Sequence, residues 1–412
     1  MIQLSRANLP INNQLEITGS KSESNRLLLL NQLFDNVLTL ENISNSEDSQ
    51  LMQKALANQN HLIDIHHAGT AMRFLTAYFS IQENRETTIT GSERMKQRPI
   101  KILVDALNLL GANISYLENE GFPPLLIKGQ KLENNQISIP SNISSQYITA
   151  LCLIGTKLEN GLTITLEGKI ISIPYIKMTI DLLNRVGISA QFDTNIIRIP
   201  FTENIKPQIL QVESDWSSAS YFYSLIALSE NSEIKISTYF ENSLQGDSAL
   251  QSIYGQNFGV NSTFDNGILT LKNDSNFGFK EFIELDLINT PDIAQTIAAT
   301  CVGLKLKCKL TGLETLKIKE TDRLVALKNE LEKFGANIEI TDNSLEIKDF
   351  DSNKKEEKII VKTYNDHRMA MALAPLAIHE TFYIENENVV EKSYPTFWED
   401  WTKLDFDIKP IS

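Results

Sequence analysis

Leu107–Ile114 reads LNLLGANI: an amphipathic helical pattern stops on a glycine and turns at once to alternation. The same design recurs at Leu183–Ala190 (LNRVGISA), Asn257–Thr263 (NFGVNST) and Glu332–Ile338 (EKFGANI). The stop glycines Gly111, Gly187, Gly259 and Gly335 lie 76, 72 and 76 residues apart. Glycine suits the left-handed residue just past a helix, which explains its recurrence there. Similar segments lead into the helices: Thr88–Ile100 (TITGSERMKQRPI), Ile164–Ile176 (ITLEGKIISIPYI) and Leu310–Arg323 (LTGLETLKIKETDR). Downstream the period becomes two, as in Ile338–Ile347 with an Asp-Asn turn, which predicts short strands. A unit near 75 residues exceeds a solenoid repeat and matches a small α+β subdomain. The chain is therefore read as α/β, built from duplicated helix-plus-strand units. They number about six if the ends complete the set, and no nucleotide-binding fingerprint is present.

At 412 residues the chain is too long for one ordinary core, so two domains are expected. Apolar content of 42% and charged content of 22% describe a globular chain. A formal charge of −14 argues against nucleic acid or an anionic membrane as the main partner, since both require a basic field. Anionic ligands would then require the cations to be gathered in one place. Cys152, Cys301 and Cys308 show no metal or CxxC spacing and read as reduced and buried. Met1–Leu15 has no apolar signal core, and runs such as Ile148–Ile154 and Met369–Ile378 fall short of a membrane span. A cytoplasmic protein is expected. Domain crossings are sought at Thr18–Ser20 and Lys206–Ser214, where Pro207 breaks the pattern.

Seven segments place hydroxyl, amide or basic residues at helix or loop starts, where backbone N–H groups can face an anion. They are Gly19–Arg26 (GSKSESNR), His67–Arg73 (HAGTAMR), Ser144–Tyr147, Asn289–Asp292, Lys317–Arg323, Asn365–Met369 and Lys392–Pro395. Taken singly these have ordinary readings. Ser20 with Glu23 has capping-box spacing, Ser144 is a good N-cap, and Asp292 is a favourable first-turn carboxylate. Lys21 and Arg26 are different, because cations oppose the positive end of a helix unless an anion compensates. GxxxxGK[ST] is absent, so the first segment is not a Walker A loop.

Together with RMKQRPI and SIPY these motifs resemble, in order from Gly19 to Pro395, those of the 5-enolpyruvylshikimate-3-phosphate synthases. The resemblance implies an inside-out α/β barrel in two lobes of three units each, helices inside and sheets outside. Residues 1–20 plus 213–412 would form one lobe and 21–212 the other, with helix amino ends facing the cleft. It also implies transfer of the enolpyruvyl group of phosphoenolpyruvate to the 5-hydroxyl of shikimate 3-phosphate. By similarity, shikimate 3-phosphate contacts Lys21, Ser22, Arg26, Ser144, Ser145, Gln146, Ser172, Tyr175, Asp292 and Lys319. Phosphoenolpyruvate contacts Lys21, Gly69, Arg98, Gln146, Arg323, Arg368 and Lys392. The two substrates bring roughly −6 in charge, against seven cations in these sets. Asp292 is expected as the base at the 5-hydroxyl and Glu320 as the donor of a proton to C3, with Lys21 sharing proton transfer and His367 orienting Glu320. No cofactor or metal is called for, and a monomer is expected.

His67 and Thr315 stand where family members commonly carry asparagine, which puts only local hydrogen bonding at issue. His61, His66 and His67 lack a carboxylate or cysteine grouping beyond Asp64, which disfavours a metal site. The runner-up is a UDP-N-acetylglucosamine enolpyruvyl transferase, a family with a reactive cysteine in a mobile glycine-rich loop. Gly91–Met95 contains none. A non-catalytic anion-binding relative is the remaining reading.

Overall fold

A computed structural model describes residues 1–6, 9–141, 144–168, 170 and 172–411, the side chain of Arg6 excepted. Lys169 and Ile171, within the segment Ile164–Ile176, lie outside the described residues. The chain folds into two compact units, Met1–Thr18 with Glu213–Ser412, and Gly19–Val212. Gly19 and Ser20 thus group with the second unit. A Cβ on Gly19 would meet Asn42 O and Val212 Cγ1 of that same unit, so the chain passes there with no room for a side chain.

The repeat is visible in the sheets. In one, Asn12–Leu15 pairs parallel with Glu233–Ser237, which pairs antiparallel with Ile268–Asn273, itself antiparallel to Val260–Asp265. The same succession orders Phe282–Asp286, Lys307–Thr311, Leu345–Phe350 and Ala336–Ile340. Ile360–Val361, Phe382–Ile384, Ile2–Arg6 and Phe406–Pro410 complete the first unit with both ends of the chain. The second unit holds Leu62–Asp64, Glu86–Thr90, Leu125–Lys128 and Asn113–Tyr116. Its next sheet is Gln136–Pro140, Leu162–Glu167, Ile196–Ile199 and Gln191–Asp193. The sixth sheet keeps only the parallel pair Leu38–Glu41 with Gln208–Gln211.

Three helices lie inside their units because their sequences leave no polar face. Gly69–Ser80 is buried along its whole length. Ser217 alone escapes burial in Trp216–Leu228, and Gly303 alone in Ala294–Gly303. A helix apolar all round must be covered on every side. The strands instead alternate, as in Gln136–Pro140, where Ile137 and Ile139 are buried between exposed neighbours. One face packs on helices and the other meets water. Ile234 and Ile236 accordingly share a core with Phe222 and Leu225.

All four stop glycines are left-handed, with φ of +107°, +91°, +66° and +88°. Nothing lies within 4 Å of a Cβ built on Gly187, so only backbone strain opposes a side chain there. Gly187→Ala should lower stability by about 1 kcal/mol, and Gly187→Asn by less, because asparagine tolerates this conformation. Urea denaturation midpoints of the two variants check the order.

Candidate active site

In the unit Gly19–Val212 the amino ends of four helices meet. Gln146 Nε2, in the first turn of Ser145–Gly155, donates to Thr70 Oγ1 in the first turn of Gly69–Ser80 at 3.3 Å. Arg26, on Lys21–Leu33, donates to Thr149 Oγ1 at 3.2 Å and to Thr179 Oγ1 at 2.9 Å, tying in Ser145–Gly155 and Ile173–Arg185. It also donates to Ser22 O at 2.7 Å and Tyr175 O at 3.3 Å. Burial lowers its pKa to about 10, which leaves it cationic at neutral pH. Ser20 caps Lys21–Leu33 by accepting from Glu23 N at 3.5 Å, and Ser144 accepts from Gln146 N at 3.3 Å. Ser172 stands at the N-cap position of Ile173–Arg185 in the left-handed region, at φ +54°, without a side-chain cap hydrogen bond.

Arg98 lies against the first turn of Gly69–Ser80. A Cβ on Gly69 would sit 2.4 Å from Arg98 Nη1, so a side chain there would push the guanidinium from this position. That helix end has no side-chain cap. A cation stacked on an uncapped positive helix end is an arrangement that an anion compensates. Arg73 supports it from below, donating to Gly69 O at 3.2 Å and to Pro99 O at 2.9 Å. Burial, and then the Arg98 charge, pull the Arg73 pKa down to about 10. Tyr147 donates its hydroxyl to the same Pro99 oxygen at 2.6 Å. His67 Nδ1 meets Ser92 Oγ at 2.7 Å. Among the described residues Lys21, Arg26, Arg73 and Arg98 form no ion pair, although Arg185 approaches Glu23 on the first helix at 3.9 Å.

The other unit gathers helix ends around carboxylates. Arg323 opens Arg323–Glu332 and is 1% exposed. Its Nε and Nη2 reach the two oxygens of Asp366 at 2.7 and 3.2 Å. Its Nη2 also reaches Glu320 at 2.9 Å and its Nη1 reaches Asp292 at 3.1 Å. Burial pulls the Arg323 pKa down, but the Asp366, Glu320 and Asp292 charges outweigh it and hold the guanidinium firmly protonated. Lys319 Nζ lies 3.3 Å from Asp292, Arg368 Nη2 lies 3.5 Å from it, and Lys392 pairs with Glu320. Asp366 caps His367–Leu373 by accepting from Arg368 N at 2.9 Å. His367 is buried, its Nδ1 3.6 Å from Asp366 Oδ1. Lys392 ends a short 3-10 helix, Glu387–Lys392, rather than opening one. Its position is set by the next turn, where Tyr394 donates to Asp400 at 2.9 Å and Trp401 stacks on Phe397 at 4.4 Å.

The expected residues thus fall into two clusters. Lys21, Ser22, Arg26, Gly69, Arg98, Ser144, Ser145, Gln146, Ser172 and Tyr175 belong to Gly19–Val212, and Asp292, Lys319, Glu320, Arg323, His367, Arg368 and Lys392 to the other unit. Sequence reasoning passed over Arg73 and Asp366, though both stand inside motifs it singled out. It also passed over Ser217 and Asp247, which stand in no charged run. Among the described residues no group of three or more His, Cys, Asp or Glu is placed to hold a metal, and no helix is long and apolar enough to cross a membrane.

Two α/β units gather basic and polar side chains at helix ends, an arrangement that suits anionic ligands. Residues 52–401 match the profile of the EPSP synthase family (3-phosphoshikimate 1-carboxyvinyltransferase). A protein of that name from Bacteroides fragilis (strain YCH46) is 45% identical over 399 residues, 96% of each chain. Another from Histophilus somni (strain 2336) is 33% identical over 425 residues, again 96% of each. The solved structure of EPSP synthase from Acinetobacter baumannii superposes with a TM-score of 0.75 over 99% of each chain at 20% identity, a likeness of fold. The chain belongs to the EPSP synthase family and is a transferase of the shikimate pathway.

The Arg323 network makes a stability prediction. Arg323→Met strands the fully buried Asp366 and should cost about 3–5 kcal/mol. Adding Asp366→Asn should recover part of that loss in urea unfolding.

Proposed function

We propose that this chain transfers the 1-carboxyvinyl group of phosphoenolpyruvate to the 5-hydroxyl of shikimate 3-phosphate, as a cytoplasmic monomer. Family membership supports the reaction. The observation that carries the residue roles is the shared hold of Arg323 on Asp292 and Glu320, two carboxylates in one network with unlike partners. Asp292 meets Lys319, Arg323 and Arg368 and is assigned as the base. Glu320 meets Arg323 and Lys392. An anionic donor that takes over Lys392 weakens the hold on the Glu320 anion and favours its acid form. Two carboxylates with separated environments divide acid and base work in this way.

The steps balance. Asp292 takes the proton of the 5-hydroxyl as its oxygen bonds C2 of phosphoenolpyruvate, while C3 gains a proton from Glu320. The resulting tetrahedral ketal-phosphate then loses inorganic phosphate, which takes up the proton held by Asp292, as C3 returns a proton to Glu320, restoring the double bond. His367 orients Glu320, and Lys21 shares proton transfer. Lys21, Ser22, Ser144, Ser145, Gln146, Ser172, Tyr175, Asp292 and Lys319 take shikimate 3-phosphate. With four of its N–H donors already used inside the protein, Arg26 acts chiefly by positioning and by charge. Lys21, Gly69, Arg98, Gln146, Arg323, Arg368 and Lys392 take the donor, with Arg323 contributing mainly field because three carboxylates engage it.

A UDP-sugar acceptor is disfavoured by the cysteines, since Cys152, Cys301 and Cys308 are all buried and none stands in Gly91–Met95. Phosphate release from phosphoenolpyruvate is expected with shikimate 3-phosphate and absent with the UDP-sugar. Release only with the latter, or with neither, defeats the proposal. Asp292→Ala and Glu320→Ala should each lower kcat by about 10²-fold or more, with KM values within a few-fold of wild type.

A further inference from the structure

Ser217 is the second residue of Trp216–Leu228, and its hydroxyl donates to Asp247 Oδ2. Arg368 Nη2 donates to the same hydroxyl oxygen at 3.1 Å while lying 3.5 Å from Asp292. A single serine therefore links a buried carboxylate to the arginine assigned to the donor. Asp247 is 5% exposed, and its Oδ1 is buried and accepts no hydrogen bond among the described residues. An ionised carboxylate with one oxygen unserved is costly in such a place. A merely structural role would favour a neutral residue there.

We propose that Asp247 is a positioning residue for Arg368, fixing the guanidinium through Ser217 and setting how strongly it takes the anionic donor. The inference rests on the assignment of Arg368 to phosphoenolpyruvate. Ionised Asp247 adds a second negative charge to the surroundings of Arg368, so the donor must compete with it and with Asp292. Neutral Asp247 still accepts the Ser217 hydroxyl, keeping the geometry while removing the competing charge.

Burial, and next the Asp292 charge, push the Asp247 pKa up to about 6, against the Arg368 charge and the Ser217 hydrogen bond, which pull it down. Asp215, the cap of Trp216–Leu228, also acts on it and raises its pKa. Tyr221 faces Arg368 from that helix with its hydroxyl held neutral by burial. Glu213 hydrogen-bonds the nearby Gln245. A pKa raised on folding means that the neutral form prevails below about pH 6 and the charged form above it. The penalty on donor binding is therefore small at pH 5 and full at pH 8.

The test is KM for phosphoenolpyruvate at saturating shikimate 3-phosphate from pH 5 to 8, for wild type, Asp247→Asn, Ser217→Ala and Arg368→Gln. The donor phosphate itself ionises near pH ~6, but this affects every protein equally and cancels in the ratio of wild-type to Asp247→Asn KM. That ratio is expected to stay near unity at pH 5 and to rise roughly fivefold by pH 8, about 1 kcal/mol, with its midpoint near 6. Ser217→Ala should raise KM at both ends of the range with a smaller change in kcat. Asp247→Asn should melt higher than wild type at pH 8, the difference shrinking at pH 5. A ratio flat with pH while Arg368→Gln still raises KM overturns the role of Asp247 alone. An Arg368→Gln KM equal to wild type overturns the donor assignment and this inference with it.

Discussion

In each unit helix amino ends converge, and the rest of the structure answers to that. Every such end carries roughly half a positive charge in unsatisfied N–H groups, and several brought together repel unless negative charge sits among them. The helices converge because apolar stretches such as Gly69–Ser80 and Trp216–Leu228 have no face that water will accept. Burying them on all sides, with the sheets as cover, leaves their ends as the places where polar chemistry collects.

The two units meet this demand in opposite ways. In Met1–Thr18 with Glu213–Ser412 the protein supplies its own anions, and Asp292, Glu320 and Asp366 close on Arg323. In Gly19–Val212 the helix ends are joined through hydroxyls, by Gln146 to Thr70 and by the cationic Arg26 to Thr149 and Thr179. Cations are then added on top, with Arg98 on Gly69 and Arg73 beneath. The second arrangement leaves positive charge for an anion to compensate, and in the first an anionic ligand would have to compete with the carboxylates. An acidic chain can bind such a ligand because the positive field is local while its net charge of −14 is spread over the whole.

Much of the site was legible along the chain, and particular residues show why the rest was not. The caps Ser20 and Ser144 act within their own helices, so spacing alone identifies them. Arg26 was readable as a cation at a helix start, but its four acceptors come from three helices, so it also ties those helices together. Lys392 was readable as part of the late basic motif, yet it ends a 3-10 helix because its place is set by the Tyr394, Phe397 and Trp401 packing that follows. Ser217 and Asp247, thirty residues apart in the chain, give no sign of each other until the fold joins them.

The sequence by itself determined the repeat, the left-handed stops, the alternation of the strands and the identity of the charged motifs. Each of these is governed by a residue and its near neighbours: a glycine that can reach positive φ, a serine three residues from its amide, a period of two or of 3.6. Only tertiary structure decided which charges meet. Whether an arginine is pinned by carboxylates, as Arg323 is, or by hydroxyls, as Arg26 is, depends on groups distant along the chain. Their approach is dictated by the packing of helices rather than by any local rule, and electrostatic energy depends on distance in space and on burial, neither of which is written in the order of residues.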